Sequence, residues 1–466
     1  MRLTLAALVI AAPVALILSP VFGLTPDAER AAPPDFIVTA APAYVPLAEL
    51  RGQERFPKGA QLLLVHAGKA EPLLTGFAAT ADASVSFDGQ TVLFAGKRSA
   101  GDPWQIWELA LKDRSVRQVM VTATDAERPL YLPGGRIVWA QRTAAGFQMQ
   151  SGEDGRPTPN FLNPTAGPGM LPLAYTRTST FPADVLRDGR ILFEAGFPLG
   201  KGSTPELYLV YADGSGEESV RCDHGRARWG GTQLASGDVV YTHGSTLARF
   251  TSAMAHEVPV QAPRGNYAGA IAETASGAWL MSARTATEAR YAIKIWTTGR
   301  AGMDTVLAIS AEDLVEPVLV APRARPNRHP SGLHPWDYAN LMALDARVSR
   351  DGVLRGTPVS VRLEAQDAAG RAIAMGTAPV EQDGSFFVKV PADRPIRFEL
   401  LDFKGTVLKQ EHGWFWARGG EQRICVGCHA GPERASENRV PAVLMRTTVP
   451  VDLTGVKAVA GARGGN

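Results

Sequence analysis

The residues best suited to chemistry lie near the C-terminus: Cys425-Val426-Gly427-Cys428-His429. Two thiols separated by two residues can reach the two vinyl groups of a haem, and the histidine that follows then lies beneath the iron as an axial ligand. A zinc site would need two further ligands at motif spacing, and the chain has only three cysteines in all. A thioredoxin-like redox pair would need a βαβ context, which the surrounding pattern lacks. The third cysteine, in Cys222-Asp223-His224, reads as a lone thiol beside a loop histidine, because adjacent residues on a strand point to opposite faces.

The partner opposite His429 decides what such an iron does. A strong sixth ligand closes it for electron transfer, and a weak or absent one admits a small molecule. Met445, 16 residues beyond His429, and His412, in Gln410-Glu411-His412-Gly413, are the candidates for that second axial position. His329, His334 and Tyr338 are fainter ones, and each also reads as solvated linker. Trp414, Phe415 and Trp416 could pack on a porphyrin face or serve as plain core. Only 37 residues follow His429, too few for a free-standing cytochrome c fold placed after the motif. The haem is therefore expected to be covered by the rest of this chain or by a partner.

The elements that must position the motif are β-rich. Gly 47 and Pro 34 in 466 residues favour a chain of short strands and turns. A Gly turn followed by a short β-branched or aromatic strand recurs at Asp88-Gly89, Gly134-Gly135, Asp188-Gly189, Ser236-Gly237 and Ser276-Gly277. The spacings of 46, 54, 48 and 40 residues match one four-stranded propeller blade per repeat. Strand-like segments at 61–65 and 316–320 are left over, and together they could close a sixth blade. A pair of β-sandwiches with coincidental spacing is the alternative. After the Pro-rich, basic stretch 322–330 the alternation resumes, in Val359-Ser360-Val361-Arg362-Leu363 and in Ile396 to Leu400, as a small β-sandwich.

These observations predict an all-β chain: a six-bladed β-propeller over 55–321, a linker over 322–340, a β-sandwich over 341–411, a haem c attachment segment over 412–450 and a tail over 451–466. Before the propeller come a signal peptide over 1–23 and an extension over 24–54. Met1-Arg2 followed by an apolar run to Gly23 reads as a cleaved secretory leader, with an uncleaved membrane anchor as the competing reading. The body is expected in the periplasm, where covalent haem is assembled. A formal charge of +2 speaks against a dedicated nucleic-acid partner. Membrane contact is expected only if the leader is retained.

The stretch from Gly376 to about Pro450 resembles the family of the hydrazine synthase alpha subunit, in its middle domain. The likeness is carried by Gly376-Thr377-Ala378-Pro379-Val380-Glu381, Asp383-Gly384-Ser385-Phe386, Val390-Pro391-Ala392, Leu400-Leu401-Asp402, Gly420-Glu421, the motif itself and Glu437-Asn438-Arg439-Val440-Pro441. The resemblance implies a propeller, a β-rich middle domain and c-type haem held by Cys425 and Cys428. It also implies that His429 is either the iron ligand or a ligand to a nearby zinc. In the family's hydrazine-forming site, a tyrosine four residues beyond the motif histidine binds the iron. Here that position is Glu433. The departure favours plain His429 ligation and speaks against hydrazine-forming chemistry.

The expected function is that of an exported monohaem c-type cytochrome serving a periplasmic redox protein or enzyme complex. An enzyme acting on a small nitrogen or oxygen compound at an open iron is one rival. A propeller binding module with a structural or sensing haem is the other.

Overall fold

The computed structural model describes residues 34–144, 146–153, 171–199, 202–220, 225–251, 257–348, 354–411, 413–427 and 438–455. Within them the strands form eight four-stranded sheets. Six follow one another along the chain up to Leu319, and the last two pair face to face beyond residue 337.

The six sheets form a ring of the β-propeller type. Their innermost strands are Ala79–Val85, Ala126–Leu132, Thr180–Val185, Arg228–Gln233, Asn266–Glu273 and Asp313–Leu319, and each touches the next around a closed circle. Two separate sandwiches could not produce that circle. Packing sheets face to face explains the uninterrupted apolar runs. In Val92-Leu93-Phe94, Val92 and Phe94 join a core with Ile37 and Leu62 of one neighbouring sheet. Leu93 packs with Ile137 and Trp139 of the other.

Closure comes from the chain's two ends. Phe36–Ala41 lies between Asp313–Leu319 and Gln61–His66, antiparallel to both. Within the expected extension, the described residues from Phe36 onward supply a strand of the closing sheet and, together with Arg55 and Phe56, a plug over the ring. All six residues of that strand are buried, so no alternation marked it in the sequence. Behind it, Tyr44, Leu47 and Phe56 pack among Trp104, Trp229 and Tyr291 from three sheets. Arg55, 4% exposed, meets Glu49 at 2.9 Å, Glu316 at 2.6 Å, Glu127 at 3.8 Å and also Asp82. Each innermost strand shifts register once against its neighbour. At three of those shifts Asp82, Arg128 and Glu316 take left-handed backbone angles, a strained state for residues other than glycine. The ion pairs that Asp82 and Glu316 make with Arg55, and Arg128 with Glu49 and Glu194, offset that strain.

The linker crosses the ring's turns instead of hanging free. Backbone N–H groups of Arg323 and Asn327 donate to the carbonyls of Phe87 and Arg187, each at 2.9 Å. A Cβ at Gly189 would stand 2.1 Å from the Asn327 carbonyl oxygen, so this repeat glycine has a packing role besides its turn.

The sandwich is larger than the 341–411 expected. One sheet runs Gln422–Cys425, Tyr338–Ala343, Phe386–Pro391, Val451–Asp452, and the other Ala372–Pro379, Ser360–Gln366, Ile396–Leu401, Val407–Gln410. The first sheet thus takes strands from the expected linker, attachment segment and tail. No helix among the described residues is long and apolar enough to cross a membrane.

Candidate haem attachment site and the seam beside it

Cys425 ends the edge strand Gln422–Cys425, which runs parallel to Tyr338–Ala343 with Cys425 opposite Ala343. Alternation puts Gln422 and Ile424 outward, Ile424 being 62% exposed, and turns Arg423 and Cys425 inward. The Cys425 side chain packs at the margin of the sandwich core. Its carbonyl accepts the Leu344 N–H at 2.8 Å. Two residues on, Gly427 backs onto the 345–348 turn, which Arg347 braces with two bonds to Asp345 at 2.8 Å. Burial pushes the Cys425 thiol up from its ordinary pKa; Arg423 opposes this, and Glu411, Glu421 and Glu218 reinforce it. Cys425 is thus held as a neutral thiol at a fixed strand end.

Cys428, His429, His412 and Glu433 lie outside the described residues, as do Cys222 and His224. Met445 stands on the short helix Ala442–Arg446 and is 78% exposed. His329 stacks on Tyr211 at 3.8 Å on the ring side, and His334, Trp336 and Tyr338 stack in succession at 4.7 and 5.2 Å. The stacking gives these linker residues packing roles.

The three aromatic residues upstream of the motif separate. Trp416 is 1% exposed and belongs to a ring core with Leu173, Ile191 and Phe193. Phe415 packs on Phe398 inside the sandwich, and Trp414 carries the Arg397 guanidinium 4.5 Å above its ring. Trp416 is therefore plain core, joining the two domains.

Residues that the sequence did not single out build the rest of this seam. Arg418, 1% exposed, lies 2.6 Å from Asp393 and donates to the carbonyl of Asp213 in the ring. The Glu421 carboxylate accepts the Arg418 N–H at 2.8 Å and the Gly216 N–H at 3.1 Å. Arg423 donates to the Trp416 carbonyl at 3.1 Å and lies 4.0 Å from Glu217. Burial pushes Glu217 up to about 8, with Arg423 acting the other way. The contacts that reach the ring, at Asp213, Gly216 and Glu217, join residues about two hundred positions apart, so no local pattern announced them. A cavity of about 250 Å³ opens at the same seam, between the ring and the sandwich.

Comparison with known proteins agrees with this architecture. Residues 345–430 match the family model of the hydrazine synthase alpha subunit middle domain, beginning at the turn under Gly427 and ending just past the motif. Hydrazine synthase from Kuenenia stuttgartiensis superposes with a TM-score of 0.73 at 16% identity, covering 88% of this chain and 71% of that one. TolB from Acinetobacter baumannii superposes with a TM-score of 0.45 at 12% identity, covering 61% of this chain and 66% of that one. No curated protein matches the sequence. Through the domain at 345–430, within a fold shared along most of its length, this chain is a relative of the hydrazine synthase alpha subunit.

Proposed function

We propose that the protein is an exported single-haem c-type cytochrome whose ring acts as a six-bladed propeller scaffold. In this reading it passes electrons to or from a periplasmic redox protein or enzyme complex. One observation carries the reading: the first cysteine of the motif is a partly buried, neutral thiol fixed at a strand end in the family-matched domain. A thiol so placed suits thioether attachment, so the described half of the motif fits the group. Cys425 and Cys428 would hold the haem, and His429 would be its axial ligand. Bound there, haem supplies a one-electron iron couple.

The chain's own residues set that couple's surroundings. Arg423 places a positive charge two residues from the first attachment point, against Glu217, Glu218, Glu411 and Glu421. Trp416 and Arg418 tie the segment to the ring and limit its movement. Assembly in the periplasm, after removal of the leader at 1–23, completes the reading.

The test is to produce the exported form with haem-maturation machinery and record ferric and ferrous spectra with and without carbon monoxide. Haem that survives denaturing electrophoresis, and is lost in Cys425→Ala with Cys428→Ala, supports attachment. A low-spin spectrum that resists carbon monoxide supports electron transfer, with Met445 and His412 as the ligands to replace next. An immediate shift on adding carbon monoxide transfers the assignment to an enzyme with an open iron.

A further inference from the structure

The seam cavity has its own chemical character. At about 250 Å³ it exceeds the roughly 150 Å³ of an engineered cavity that accepts benzene, so a ligand of about ten non-hydrogen atoms fits. Phe193, Tyr208, Trp414 and Trp416 supply aromatic wall. At its buried end lies Glu217, 3% exposed, whose carboxylate has no hydrogen-bond donor among the described residues and only the Arg423 contact at 4.0 Å. Glu218, Glu411 and Glu421 deepen the negative potential there. The Gln366 side-chain oxygen, also at the cavity, is buried without a partner. At the exposed end Arg177 donates through Nη1 to the carbonyls of Asp367 and Ala368, at 3.1 and 2.7 Å. Its Nε and Nη2 meet no acceptor among the described residues.

We propose that this cavity binds a compact zwitterion, a primary alkylammonium at the buried end and a carboxylate at the mouth. An ammonium answers both acceptors that the cavity leaves without a donor, Glu217 and Gln366. Its arrival releases the Glu217 proton to solvent and pairs with the carboxylate left behind, while its N–H groups donate to Gln366 and its charge lies against the negative faces of the rings. A quaternary ammonium would leave Gln366 unsatisfied. A carboxylate at the other end accepts from the free edge of Arg177. The inference does not rest on the haem assignment.

The experiment is calorimetric titration of 4-aminobutyrate, n-butylammonium and butyrate into the full haem-loaded chain and into the Cys425→Ala, Cys428→Ala variant near neutral pH. Saturable binding of 4-aminobutyrate to both proteins is expected, tighter than either single-charge probe. Glu217→Gln should weaken it about tenfold. Arg177→Ala should weaken 4-aminobutyrate and leave n-butylammonium unchanged. Gln366→Leu, which removes the cavity's other unpartnered acceptor, covers the case in which Glu217→Gln fails to fold. Absence of saturable binding overturns the proposal, as does butyrate binding as well as 4-aminobutyrate, or an unaltered affinity in Glu217→Gln and Gln366→Leu. Binding confined to the haem-free variant also overturns it, because haem then occupies the space.

Discussion

The indole Nε1 of Trp416 donates to the carbonyl of Gly214 at 2.9 Å, so the segment leading to Cys425 is anchored inside the ring's own core. Removing a buried tryptophan forfeits its apolar contacts and leaves a cavity, at a cost of about 3–5 kcal/mol. Here that loss falls on a contact between domains. Trp416→Ala is expected to split denaturant unfolding into two transitions, one for the ring and one for the sandwich. A single transition, merely shifted, would mean that the seam is not what couples them.

Arg418 offers a sharper test of the same seam. Its guanidinium is buried between Asp393 and the Asp213 carbonyl, and each partner has given up water to meet it. Arg418→Leu should cost about 3–5 kcal/mol, because it leaves the Asp393 carboxylate without its counter-charge. Adding Asp393→Asn should recover part of that loss. A double mutant no more stable than the single one would show that the backbone contact, not the ion pair, carries the energy.

The plug over the ring predicts a pH dependence. Burial raises Glu127 to about 8 and Glu316 to about 7, against an ordinary glutamate value of 4.5. Between those values the folded chain holds protons that the unfolded chain has lost. The stability they supply is complete below about pH 4.5 and disappears as pH rises through 7 and 8. The melting temperature should therefore fall from about pH 5 to about pH 8 and level off above that, and Glu127→Gln should flatten the decline. Amide exchange over 42–56 should quicken across the same window.

The ring was legible because its signals are local. Gly89, Gly189, Gly237 and Gly277 take left-handed angles at turns, and Thr91–Lys97, Ile191–Leu199, Val239–His243 and Trp279–Arg284 follow them. Phe36–Ala41 escaped because a strand buried on both faces has no alternation to read. Gln422–Cys425 and Val451–Asp452 escaped because strands of four and two residues, added in parallel to a sheet, are specified by the surface they land on. The motif could be read at sight, while Glu217 and Arg423 meet only after both domains have folded.

The placement of Gly427 makes the last prediction. A Cβ there would stand 2.9 Å from Val348 Cβ and 3.0 Å from the carbonyl oxygens of Asp345 and Val348. Backbone cannot yield as a flexible side chain does, and Arg347 fixes the turn from its other side. Gly427→Ala must therefore push the segment after Cys425 away from the turn and shift the second cysteine relative to the first. The ring, remote from this turn, should keep its melting transition, while the yield of covalently bound haem falls severalfold. If haem content is unchanged, the attachment segment is not held by the 345–348 turn. If the ring melts early as well, the seam at 416–423 transmits the displacement.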